Sequence, residues 1–200
     1  MRRKSLVVSA AMFASSLLCP SSASAHLNST GMGPLYDGLM HFFTSPEDIV
    51  PVIALAMYAG LRGAQYGRRA LFLLPASWFV GCLLGGFASR PVSWPVAAVS
   101  FLLFGGLVAA NAGLSLRATT LLAVLLGLVH GGMNAAGVPW TGSVLIVYVG
   151  LVAGIFILFA LVAALVIRLR PPWARIVVRV AGSWIVATGL LLLGWAARRV

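Results

Sequence analysis

Six side chains carry all the carboxylate and imidazole chemistry of this sequence: Asp37, Glu47, Asp48, His26, His41 and His130. Five of them fall within residues 26–48, and His130 stands apart in a long apolar stretch. Asp37 and His41 are spaced i,i+4, which sets both on one face of a short helix. Glu47 and Asp48 follow at once, after Ser45-Pro46. Imidazole nitrogen combined with carboxylate oxygen is a donor set for Ni²⁺, Co²⁺ or Zn²⁺ rather than Ca²⁺. His26 offers an imidazole and, were it the first residue of a processed chain, an α-amine that could chelate the same ion. The second constellation is Val129-His130-Gly131-Gly132-Met133-Asn134, in which His130 and Asn134 share a helical face and Gly131 admits a neighbouring helix.

Each feature also has a plain structural explanation. Ser45 suits an N-cap, Pro46 the first helical position, and Glu47 and Asp48 complement the positive end of a helix dipole. His26 can be an untethered polar terminus. An intramembrane His130 can simply hydrogen-bond across helices. Against this, ionisable groups in or beside a membrane span are costly and mark functional sites by default.

The elements that must position these residues are membrane helices. Of 200 residues, 61% are hydrophobic and 8% charged, and mean hydropathy is +1.04. A water-soluble domain carries roughly a quarter of its residues charged, so this chain requires the lipid bilayer as its partner. The net charge of +11 does not indicate nucleic acid, because the basic residues sit singly or in pairs between apolar runs. Residues 1–25 read as a secretory signal: Arg2, Arg3 and Lys4, a short apolar core, and Ala23-Ser24-Ala25 as the cleavage site. Cleavage there makes residues 26–200 one transmembrane domain starting at His26. Cys19 departs with the signal, Cys82 remains alone, and no disulfide is expected.

Six apolar stretches follow, at roughly 46–62, 70–88, 93–112, 117–136, 143–167 and 176–197, each near the length a bilayer demands. The expected fold is an all-α polytopic bundle of about six transmembrane helices after a cleaved signal peptide. With His26 outside, Arg62, Arg68, Arg69, Arg117, Arg168, Arg170, Arg175 and Arg179 fall on cytoplasmic loops, and only Arg90, Arg198 and Arg199 fall outside. That asymmetry fits the positive-inside rule with both termini outside. Gly81–Gly85, Gly127–Gly131 and Gly150–Gly154 are small-residue pairs that allow close helix packing.

The two polar segments resemble the HupE/UreJ family, small membrane proteins regarded as nickel or cobalt permeases that serve hydrogenase and urease. The resemblance spans nearly the whole chain: Ala25-His26, Gly38-Leu39-Met40-His41 before the first span, six helices, and Arg179-Val180-Ala181-Gly182-Ser183-Trp184 with Gly189 near the end. The family carries His-x5-Asp-His near the first span, and here His41, Glu47 and Asp48 occupy those places. It carries Phe-His-Gly-x-Ala-His-Gly-x-Glu in the fourth. Here His130 and Gly131 match, Asn134 stands where His is expected and Gly137 where Glu is expected.

The resemblance implies a bacterial inner-membrane, multi-pass permease for nickel or cobalt. His41, Glu47 and Asp48 would capture the ion at the outer mouth, Asp37 and His26 would assist, and His130 with Asn134 would form a second station. No cofactor is expected to be tightly bound, and no enzyme is implied; homo-oligomer and accessory-subunit states stay open. The lost imidazoles also fit altered metal preference, weaker uptake or no transport at all. One rival is a non-transporting accessory or structural protein on the same scaffold. An intramembrane enzyme is disfavoured, because the sequence shows no Ser/His/Asp pattern. A lipid-accessible pocket at His130 with a nucleophile beside it would restore that class.

Overall fold

The computed structural model describes residues 30–86, 95–136, 138 and 140–198. The signal segment 1–25, His26, Arg90, Gly137 and Arg199 lie outside the described residues. Within them the chain is all-α, with seven helices: α1 (Pro34–Thr44), α2 (Pro46–Arg62), α3 (Ala64–Gly85), α4 (Pro95–Ala109), α5 (Leu116–Ala135), α6 (Val144–Arg168) and α7 (Pro172–Ala197). α3, α5, α6 and α7 are long and apolar enough to cross a membrane, and α4 is a shorter apolar helix. The molecule is a helical membrane bundle.

α2 is the axis of that bundle and touches all six other helices. Eleven of its seventeen residues are buried, among them Val52, Leu55, Tyr58 and Leu61. A helix shielded by protein on every side need not be the most apolar, which explains why this stretch has the weakest span signature in the sequence. The helix opens with Pro46 in its first turn, as the sequence indicates. Ser45 does stand at the N-cap position, but its side chain makes no capping bond. The hydroxyl donates instead to the carbonyl of His41, 2.7 Å away, and so fastens the α1–α2 corner.

Gly63, at φ 111°, ends α2 and starts α3 six residues earlier than the apolar run alone indicates. Those residues, through Arg68 and Arg69, are a polar extension of the helix. The small-residue pairs do bring backbones together. A Cβ on Gly131 would strike the carbonyl oxygen of Trp78, and one on Gly85 would strike that of Gly132, so α3 and α5 pack in near backbone contact. Gly38 of α1 and Gly150 of α6 meet main chain in the same way, at Val147 and Leu35.

The arginine-rich links gather at one end. Tyr58 donates its hydroxyl to the Ala112 carbonyl at 2.9 Å and accepts from the Leu114 N–H at 3.2 Å. Arg175 donates to the Leu61 carbonyl at 2.8 Å, and Arg179 to that of Ala109 at 3.0 Å. The C-termini of α2 and α4 are thereby closed by groups from neighbouring elements, which satisfies carbonyls a helix end leaves free.

Candidate functional site

The opposite end holds the acids and histidines. α1 delivers His41, the first turn of α2 delivers Asp48, α4 delivers Ser100, and the last turns of α5 deliver His130 and Asn134. Asp48 is the hub, 3% exposed. Its Oδ1 lies 2.9 Å from His130 Nδ1, and its Oδ2 accepts from Asn134 Nδ2 at 2.9 Å. The second proton of that amide goes to the His130 carbonyl, 3.0 Å away. Asn134 Oδ1 therefore faces His41 Nε2 at 2.9 Å as an acceptor, and the imidazole donates. On the far side, Ser100 Oγ lies 2.9 Å from His130 Nε2.

These bonds fix the protons. A carboxylate only accepts, so His130 carries its proton on Nδ1 and leaves Nε2 to take the Ser100 hydroxyl proton when the ring is neutral. The chain runs from Ser100 through His130, Asp48 and Asn134 to His41. His130 is fully buried and His41 half-buried, so the network begins inside the bundle and ends near its surface. The Trp78 ring lies 5.4 Å from the His130 ring at a 45° tilt and closes its flank. Leaving a member of so buried a network unpaired costs several kcal/mol, which ties all four helices to one register.

The structure places the candidate residues as follows. His41, Asp48, His130 and Asn134 come together in one chain of bonds, where two separate stations were expected. Sequence distance suggested the separation, and the fold removes it by setting the first turn of α2 beside the last turns of α5. Glu47 and Asp48, adjacent in sequence, take opposite positions. Glu47 is exposed in the first turn of α2, where it complements the helix dipole, while Asp48 turns inward. Asp37 stays apart from the network. Its carboxylate accepts from the Thr30 main-chain N–H at 2.5 Å and from the Thr30 hydroxyl at 2.7 Å. Those two bonds hold its pKa below the ordinary carboxylate range. Among the described residues, no three His, Cys, Asp or Glu side chains form a group that could hold a metal ion.

Sequence reasoning missed Ser100. Its signal was modest: a lone hydroxyl in the apolar run of α4, which a bilayer-facing helix would not retain without a partner. Trp78, apolar in an apolar helix, gave no signal.

A buried carboxylate clasped by imidazole and amide at one end of a polytopic bundle is a costly arrangement for a membrane protein to keep. The HupE / UreJ protein family matches residues 14–192, most of the chain, and the protein belongs to that family. The family is an accessory and transport family, associated with nickel and cobalt uptake for hydrogenase and urease. No curated protein matches the chain, and no solved structure does.

Proposed function

We propose that the protein is a bacterial inner-membrane permease for a divalent transition metal, nickel or cobalt first. In this reading the signal segment is removed, the arginine-rich end faces the cytoplasm by the positive-inside rule, and six helices span the bilayer. His41 meets the ion at the outer mouth, Asp48 supplies the charge that draws it in, and His130 with Asn134 receives it. Glu47, Asp37 and His26 contribute negative charge and imidazole to the approach. The observation that carries the reading is the single polar chain from half-buried His41 to buried His130, at the end opposite the arginine-rich links, in a HupE/UreJ protein.

Passage requires donors that let go. An amide between two imidazoles and a carboxylate binds a borderline metal more weakly than a third imidazole would, which suits transit better than storage. Accumulation of nickel and cobalt in an uptake-deficient host tests the proposal. Wild type should raise cellular metal, and His41→Ala with His130→Ala should abolish the rise. Wild type that reaches the membrane and moves neither ion would end the metal reading.

One observation favours a second reading, a non-transporting accessory protein. The network satisfies its own donors and acceptors, and no three-ligand group is assembled among the described residues. A clasp of that kind can serve only to hold the helices in register, with the same scaffold acting as a homo-oligomer or as a subunit of another complex. Normal uptake by the double variant would favour it.

A further inference from the structure

Ser100, His130 and Asp48 are joined in a specific order. The hydroxyl meets Nε2 of the imidazole and the carboxylate meets Nδ1, both at 2.9 Å. In acyl-transfer chemistry this order lets the ring take the hydroxyl proton while the carboxylate holds its tautomer and orientation. Asn134 anchors the second carboxylate oxygen, so Asp48 cannot swing away.

A second observation is independent of the triad. α4 and α5 follow one another in the chain yet barely touch, since α5 packs on α3 while α4 packs on α2 and α7. Between them lies a crevice of about 290 Å³ with an apolar surface, and buried Ser100 and His130 stand along its inner wall. Its other walls include Val99, Leu103, Leu125 and Val129, all exposed on the outside of the bundle. In a bilayer that opening faces acyl chains. Ser100 lies in the second turn of α4, five residues after Pro95.

We propose that this is an acyl-hydrolase site for a long-chain ester that enters from the bilayer between α4 and α5. Ser100 Oγ bonds to the ester carbonyl carbon as its proton passes to His130 Nε2. The carbonyl carbon–alkoxy bond then breaks, and the departing alcohol takes that proton. Water, the co-reactant, attacks the acyl-serine with His130 accepting its proton. Return of that proton to Oγ breaks the Ser100 ester and frees the acid. Ester and water give acid and alcohol, with no redox change. Asp48 is a positioning residue, because it acts through His130.

The test is covalent labelling of the full-length protein in lipid nanodiscs by a long-chain alkyl fluorophosphonate, with chelator present. The chelator separates this result from the metal reading. Folded wild type should acquire one adduct, placed on Ser100 by peptide mass spectrometry. Ser100→Ala should show none, and Asp48→Asn should label at least tenfold more slowly. Folding is read independently from the melting temperature. Absence of labelling in folded wild type, or labelling that persists in folded Ser100→Ala, would overturn the proposal.

Discussion

At one end of the bundle Asp48, His130, Asn134 and His41 bond mainly to one another, and at the other Tyr58, Arg175 and Arg179 bond to main-chain carbonyls. Both ends must place polar groups beside apolar helices, but the consequences differ. A bond to a carbonyl at a helix terminus closes an end that water could also have satisfied. A bond between buried side chains has no such substitute, so each member depends on the others. The arginine end is therefore expected to tolerate the loss of one contact, whereas the members of the site depend on one another. A network with this dependence is expensive to keep for register alone, and that cost supports a functional reading of it.

The largest expected effect follows from this dependence. Asp48→Ala leaves the His130 Nδ1 proton and one Asn134 proton without acceptors in a buried site. The expected loss is about 3–5 kcal/mol, read as a fall in the unfolding midpoint in detergent. Replacing the group together, as Asp48→Leu with His130→Phe and Asn134→Leu, should recover much of that loss, since apolar packing can substitute for a buried polar cluster. A single Asp48→Ala variant as stable as wild type would break the contrast between the two ends.

Tyr58→Phe probes the arginine end at its most buried point. The tyrosine is fully buried, and its hydroxyl serves both the Ala112 carbonyl and the Leu114 N–H. Its removal should cost about 1–3 kcal/mol, less than Asp48→Ala, because water at the bundle end can reach the loop groups left behind. A loss equal to that of Asp48→Ala would show that the α4–α5 link is as closed to solvent as the site.

How much of this was legible in the sequence depends on the range of the contact. Helix existence follows from hydropathy and length, so each of the six apolar stretches holds a helix among the described residues, with shifts where Gly63 and Pro172 set the starts. The i,i+4 relation of His130 and Asn134 is local and was legible, as was the close approach at Gly131. The bond between Asp48 and His130 joins residues 82 apart, and that between Ser100 and His130 joins residues 30 apart. Both depend on how far each helix slides along its neighbour. That register is fixed by near-backbone contacts such as Gly131 against Trp78, which periodicity does not encode. The Ser/His/Asp arrangement was therefore invisible in spacing: His130 stood out in an apolar stretch, Asp48 was grouped with its neighbour Glu47, and Ser100 went unnoticed.

The sharpest local form of the comparison lies between two neighbouring acids. Glu47 and Asp48 share a sequence context and a first helical turn, and a capping function treats them alike. Glu47 is exposed, so its contribution to stability comes through the dipole of α2, about 0.3–1 kcal/mol that added salt screens. Glu47→Gln should shift the unfolding midpoint slightly at low salt and hardly at all at high salt. Asp48→Asn should shift it more and keep its effect at both salt concentrations, because a buried pair is screened little. Equal, salt-sensitive shifts from both variants would return Asp48 to the capping function that the sequence assigns to both acids. A large Glu47 effect that survives salt would instead extend the site outward onto the exposed face of α2.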